Sequence, residues 1–324
     1  MDMSQHFLLS AKARTLSLAR VMRLSDDEAF ETFKAIRFAM TDGKPFCSKC
    51  GGATVYEYTA RRIFKCKACR GQFSVTSGTI FANRKMALRD LLAAIAIFVN
   101  GAKGHSALQL SRDLDCQYKT AFVLTHKLRE AMTAETAKHE ISGDVEIDGA
   151  YFGGYVKPTN YKADRLDRRL SENQTGKRQA VVIMRERAAD GQTMPFVFGS
   201  EGEAVPTIRE TVKAGSTIHA DEAPCYDALH AHYETKRINH SFAYSHDGAC
   251  TNQAESFFSR LRRAEIGTHH KIAGKYLAAY ANEMAWRENN RRVSNGEQYG
   301  MTLAATLAHP VSRTWKGYWQ RNVK

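Results

Sequence analysis

The sequence lacks any long hydrophobic run. Its longest wholly apolar stretch, Leu91 to Val99, is nine residues, about half of what a helix needs to cross a bilayer, so no membrane partner is expected. It also lacks a basic amino-terminal stretch followed by an apolar segment and a small-residue cleavage site, which points away from secretion and makes the cytoplasm the expected location. Outside two close pairs, cysteine is sparse: Cys116, Cys225 and Cys250 stand alone, and without a secretion signal they suggest no disulfide framework. No flavin or haem signal is visible, and no activated Ser or Tyr constellation. What is present is ordinary globular material: 43% hydrophobic and 25% charged residues over 324 positions, enough for two or three compact units.

The charge is strongly basic and unevenly spread. Formal net charge is +13, divided as +10 over residues 1–139, −5 over 140–259 and +8 over 260–324. Two basic ends around a mildly acidic middle suit a protein that grips a polyanion with its flanks and concentrates carboxylates at its centre.

Cys47 and Cys50 form one C-x-x-C, Cys66 and Cys69 another, with 15 residues between the pairs. Each such turn offers two thiolates to one ion, and a hairpin brings the pairs together, so structural zinc is expected. An iron–sulfur cluster is the competing use. Thr54 to Lys65 alternates polar and β-prone residues as a ribbon does, and Gly51-Gly52 and Gly71 follow the two knuckles. Before the ribbon, Ala11 to Met40 reads as helical. After it, Phe73 to Ile80 reads as a last strand leading into a helix near Ala87 to Asn100.

Ser106 to Leu114 and Tyr118 to Met132 read as two helices joined by Asp115-Cys116-Gln117, the shape of a helix-turn-helix, although any small helical bundle has similar periodicity. Its second helix would carry Gln117, Lys119, Thr120, Thr125 and Lys127 toward a groove, with Arg129 further along, making Lys119, Thr120, Lys127 and Arg129 the candidate DNA-contacting residues.

From Asp144 the character changes. Val145 to Phe152 reads as a strand with Asp148 inside it. A polar insert follows at 160–178, then strands at Gln179 to Arg185 and Thr193 to Val197, a helix at Ala204 to Val212, and a short strand from Ser216 ending beside Asp221. Tyr226 to Tyr233 reads as a short helix. Thr251 to Arg263 reads as an amphipathic helix, with Ala254, Phe257, Phe258 and Leu261 on one side and Glu255 and Arg262 on another. Asp148, Asp221 and Glu255 can therefore meet at one place. Three converging carboxylates repel one another and raise one another's pKa. A divalent cation reverses that sign, and oxygen-only ligation favours Mg or Mn.

The joint order of these motifs resembles the zinc-ribbon class of bacterial insertion-sequence DDE transposases. It rests on the Cys47/Cys50/Cys66/Cys69 ribbon, the Leu110 to Met132 helical pair, Glu146-Ile147-Asp148-Gly149-Ala150-Tyr151-Phe152-Gly153-Gly154, Ala220-Asp221, the His240 segment and Thr251-Asn252-Gln253-Ala254-Glu255-Ser256-Phe257-Phe258-Ser259. The resemblance implies an α/β fold: a ribonuclease-H-like mixed sheet with flanking helices, preceded by a zinc ribbon and a helix-turn-helix. It implies an amino-terminal helical segment at 1–42, the ribbon at 43–82, the DNA-binding region at 83–135, the catalytic domain at 140–292 and a carboxy-terminal tail at 293–324. The implied catalytic set is Asp148, Asp221 and Glu255 with Mg or Mn, Arg262 at a position often occupied by lysine, and His240 as a candidate for orienting the scissile phosphate. Glu222, in place of the usual glycine after the second aspartate, and Glu201 are expected to tolerate substitution. The implied partners are double-stranded DNA, as transposon ends and target, and further copies of the chain on that DNA, in the nucleoid. A zinc-ribbon transcription regulator and a nuclease that cuts without joining are the alternatives.

Overall fold

The computed structural model describes residues 7–154, 159–167, 170–173, 175–238 and 250–321. The chain divides into two compact units, one made of residues 1–135 and 290–324, the other of 136–289.

In the first unit, α1 (Leu18–Met22) and α2 (Asp26–Arg37) precede the strands β1 (Val55–Tyr58), β2 (Ile63–Cys66) and β3 (Gln72–Phe73), then α3 (Leu88–Asn100), α4 (Ala107–Asp113) and α5 (Tyr118–Thr136). The stretch expected as one helix from Ala11 is broken because Ser25 and Glu28 form a reciprocal capping box that starts α2 afresh. Asp26, Asp27 and Glu28 sit in its first turn, where the helix dipole favours negative charge. β1, β2 and β3 form an antiparallel three-stranded ribbon. An aromatic seam joins it to α2: Phe64 lies 6.1 Å from Phe30, 6.1 Å from Phe38 and 5.3 Å from Phe73.

The last ribbon strand is shorter than expected. Beyond Phe73 the chain turns, with Ser74 N–H donating to the Ser77 hydroxyl and the Thr79 hydroxyl to the Thr76 carbonyl. Serine and threonine side chains here satisfy local backbone that a ladder would otherwise use. The nine-residue apolar run lies in α3, buried from Leu91 to Val99, which is why it is hydrophobic all round without spanning a membrane. Among the described residues no helix is long and apolar enough to cross one.

The second unit holds β4 (Asp144–Gly153), β5 (Arg178–Glu186), β6 (Thr193–Phe198), α6 (Val205–Thr211), β7 (Thr217–Asp221), β8 (Glu234–Ile238), α7 (Asn252–Ala264) and α8 (Leu277–Asn289). These strands make one mixed sheet in the order β6-β5-β4-β7-β8. β4, β5 and β6 pair antiparallel, while β7 runs parallel to both β4 and β8. β5 is apolar without interruption from Ala180 to Met184 because both of its faces are covered. Val182 and Met184 pack with Ile208 of α6 on one side, and Val181 and Ile183 pack with Phe257 and Leu261 of α7 on the other.

The chain then returns to the first unit with α9 (Asn295–Ala308) and α10 (Tyr318–Arg321). This segment, expected as a tail, is integral to that unit. Asn295 Oδ1 accepts from the Thr15 and Leu16 N–H groups at 2.8 Å each, and α9 packs on α2 and α3.

Candidate functional site

The four ribbon cysteines bring their sulfurs within 4.8 Å of one another. Cys47 and Cys69 are 3.6 Å apart, as are Cys50 and Cys66, close to the edge of about 3.8 Å that a tetrahedron with Zn–S bonds of about 2.3 Å requires. The knuckles are shaped by backbone: Cys47 N–H donates to Gly52 O and Cys66 N–H to Gly71 O, and Gly51 adopts a φ of +74° that glycine tolerates best. All four positions are sulfur, so the site is closed and structural. Among the described residues this is the one group of three or more candidate ligands packed that tightly.

A second cluster lies at one end of the mixed sheet. In β4, Asp148 shares a face with Glu146, Ala150 and Phe152, and the latter two pack against α7 and α8. Asp221 is the last residue of β7. The parallel register ends at Ile147 opposite Ala220, so Asp148 and Asp221 follow on neighbouring strands about 4.8 Å apart. Glu255 lies in the first turn of α7. Asp148 Oδ1 accepts from its neighbour Gly149 N–H at 2.8 Å, and Asp221 Oδ1 from Ala223 N–H at 3.1 Å.

The electrostatics record this convergence. Burial pushes the Asp148 carboxyl up to about 7; the Gly149 N–H opposes the shift, while Asp221, Glu201 and Glu255 add to it. Glu201 is raised as well, by burial and by Asp221. A protonated Asp148 in the fold against an ionised one in the unfolded chain means that the folded state binds the extra proton between about pH 4 and 7. Stability must therefore fall as pH rises through that window. Thermal unfolding of the zinc-loaded protein without added Mg or Mn should show wild type losing stability relative to Asp148→Asn between pH 5 and pH 8. Parallel curves for the two proteins would contradict the burial argument.

Sequence reasoning overlooked Glu146. It is fully buried and faces the same side as Asp148. Its carboxylate accepts from Gln253 and Ala254 N–H at 2.8 and 3.0 Å, two of the otherwise unpaired donors at the start of α7. Arg187 pairs with it at 3.5 Å, and the chain of contacts continues from Arg187 through His219 to Asp144. This clamp fixes the first turn of α7 against β4, and with it Glu255. The signal was available, since i and i+2 in a strand share a face.

Arg262, two turns beyond Glu255, is exposed, with its guanidinium 5.6 Å above the Phe152 ring. Glu222 is exposed. His240 lies outside the described residues.

In the first unit, Lys119 and Thr120 are exposed at the start of α5, and the Lys119 ammonium lies 5.3 Å over Trp319. Lys127 is partly buried, which lowers its pKa. Thr125 and Arg129 are inside the unit; Arg129 is 1% exposed with its guanidinium over Phe98. The second helix was expected to direct both outward. The apolar run of α3 from Leu91 to Val99 is buried there, and its Phe98 lies against the Arg129 guanidinium.

Residues 140–289 match the ISXO2-like transposase domain and residues 24–72 the transposase zinc-ribbon domain. Both matched families are thus transposase domains, one ISXO2-like and the other a zinc ribbon. It is similar, at 23% identity over 81% of its length and 91% of the relative's, to a protein of Halobacterium salinarum described as an uncharacterized protein in transposable element ISH50. No solved structure matches the chain.

Proposed function

We propose that this chain is a DDE-type transposase with a ribonuclease-H-like catalytic unit, cutting and joining phosphodiesters at insertion-sequence ends and acting on double-stranded DNA as a homo-oligomer. The observation that carries the reading is the meeting of Asp148, Asp221 and Glu255 from a central strand, its parallel neighbour and a helix packed on that sheet. The sheet order, with the first three strands antiparallel and the next two parallel, supports the fold assignment.

The donors suit Mg or Mn: all are carboxylate oxygens, and their mutual repulsion is what a divalent charge offsets. Bound there, such an ion would supply Lewis acidity for an attacking oxygen and for the leaving 3′ oxygen. Asp148 and Asp221 would hold it from the sheet and Glu255 from α7. Glu146 keeps that helix end in place. Arg262 offers positive charge to a phosphate on the same side of the sheet, its guanidinium resting on Phe152. The basic first unit, held by its zinc ribbon, binds DNA, with Lys119 and Thr120 at the exposed start of α5 as a helix-turn-helix contact.

Incubating a labelled duplex of the element's own terminal sequence with Mg and a target plasmid tests the proposal; joined product is expected. Cleavage without joining would indicate a nuclease, and binding without cleavage a regulator. In the same system, Lys119→Ala should lower the slope of log affinity against log salt by about one. An unchanged slope and footprint would assign DNA contact elsewhere.

A further inference from the structure

Beside the carboxylates already described stands a fourth whose placement is specific. Glu201 opens the short 3-10 turn Glu201–Ala204 that leads into α6, and this turn packs against the segment Pro224–Ala231 just beyond Asp221. Its side chain comes from the α6 side of the sheet, opposite to the side that Asp148 shares with Glu146, and occupies the space over Gly149, the residue after Asp148. A Cβ at position 149 would lie 2.5 Å from the Glu201 carboxyl carbon, 2.6 Å from its Cγ and 2.9 Å from Oε1. The missing side chain at Gly149 is what admits Glu201, one of the reasons glycine occurs inside a strand. Glycine at 149 and glutamate at 201 are therefore one device.

A second feature points to a ligand. Tyr226 is fully buried, and its hydroxyl has no hydrogen-bond partner among the described residues. An unsatisfied buried hydroxyl is costly. Tyr226 lies in the Pro224–Ala231 segment on which the Glu201 turn packs, and after burial the groups that raise its pKa are Glu201, Cys225, Asp221 and Asp148, so the phenol is within electrostatic reach of the cluster.

We propose that Glu201 is a fourth carboxylate of the divalent-metal site, admitted over Gly149 and bordered by the Tyr226 hydroxyl, which donates to a ligand oxygen when the site is loaded. The proposal rests on reading Asp148 and Asp221 as metal ligands. It reverses the expectation that Glu201 tolerates substitution, while Glu222, exposed one residue past Asp221, keeps that expectation.

The test is a titration of the zinc-loaded full chain with Mn, followed by electron paramagnetic resonance of the free ion. Wild type, Asp148→Asn, Glu201→Gln, Gly149→Ala and Glu222→Gln are compared, and the melting midpoint is measured without Mn. Glu201→Gln should weaken Mn binding at least about tenfold, the lower end of what loss of a partner at a metal site costs. Gly149→Ala, which displaces the Glu201 side chain and leaves every charge in place, should do the same. Glu222→Gln should bind as wild type. Glu201→Gln should also melt higher than wild type without Mn, since it removes one of several repelling charges; a merely structural glutamate would melt lower when replaced. Wild-type Mn affinity in Glu201→Gln, with binding lost in Asp148→Asn, would overturn this proposal and leave the three-carboxylate site standing. Equal binding by wild type and Asp148→Asn would overturn both.

Discussion

Replacing Asp148, Asp221 or Glu255 with alanine is expected to depress cleavage and joining of end-containing DNA by about a thousandfold or more, roughly 4 kcal/mol of transition-state stabilisation. Each variant should still bind DNA, because binding is assigned to the basic first unit. The direction of the stability change separates this from simple unfolding. Burial and three neighbouring carboxylates push Asp148 up to about 7, so its removal relieves the metal-free fold near and above neutral pH while ending the chemistry. Glu222→Ala should stay within about twofold of wild type, as exposed substitutions away from special features do. Activities measured beside gel shifts of the same preparations decide the matter: near-normal joining by Glu255→Ala would remove that residue from the site.

Loss of the ribbon metal should be nearly as severe, through a different route. Four sulfurs within 4.8 Å fit one zinc per chain, and binding free energies of about 10 kcal/mol or more in small zinc modules exceed what so short a ribbon gains from its own core. Cys66 is fully buried in β2, next to Phe64, whose ring contacts Phe30, Phe38 and Phe73. Cys66→Ser should therefore release the hairpin from α2 and abolish specific end binding, with the zinc content falling from about one equivalent. Metal analysis and gel shifts on the purified variant check this; retained end binding with no zinc would contradict the ribbon's structural role.

Much of this was legible in the sequence where a residue's chemistry allows few alternatives. The paired C-x-x-C turns have one common use, and the aspartate in an apolar strand has few. The apolar run of β5 identifies a strand covered on both sides. The legible parts end where tertiary context takes over. β8 reads Glu-Thr-Lys-Arg-Ile, too polar to look like a strand, because it is the sheet edge and only Ile238 is buried there. Thr125 and Arg129 were read outward from helical spacing alone, but the spacing does not say which side α3 occupies. Ser25-Asp26-Asp27-Glu28 carried a capping signal that should have divided the first helix. Glu201 gave no signal of its own. Only Gly149, a glycine inside a strand, hinted that another group comes close.

The central claim is that Asp148, Asp221 and Glu255 hold a divalent ion for phosphodiester chemistry. Anomalous scattering from crystals of the zinc-loaded protein soaked in manganese measures this most directly. The account predicts a manganese peak between the Asp148 and Asp221 carboxylates, separate from the zinc peak among Cys47, Cys50, Cys66 and Cys69. A map with the zinc peak alone, at manganese concentrations that saturate activity, would contradict it.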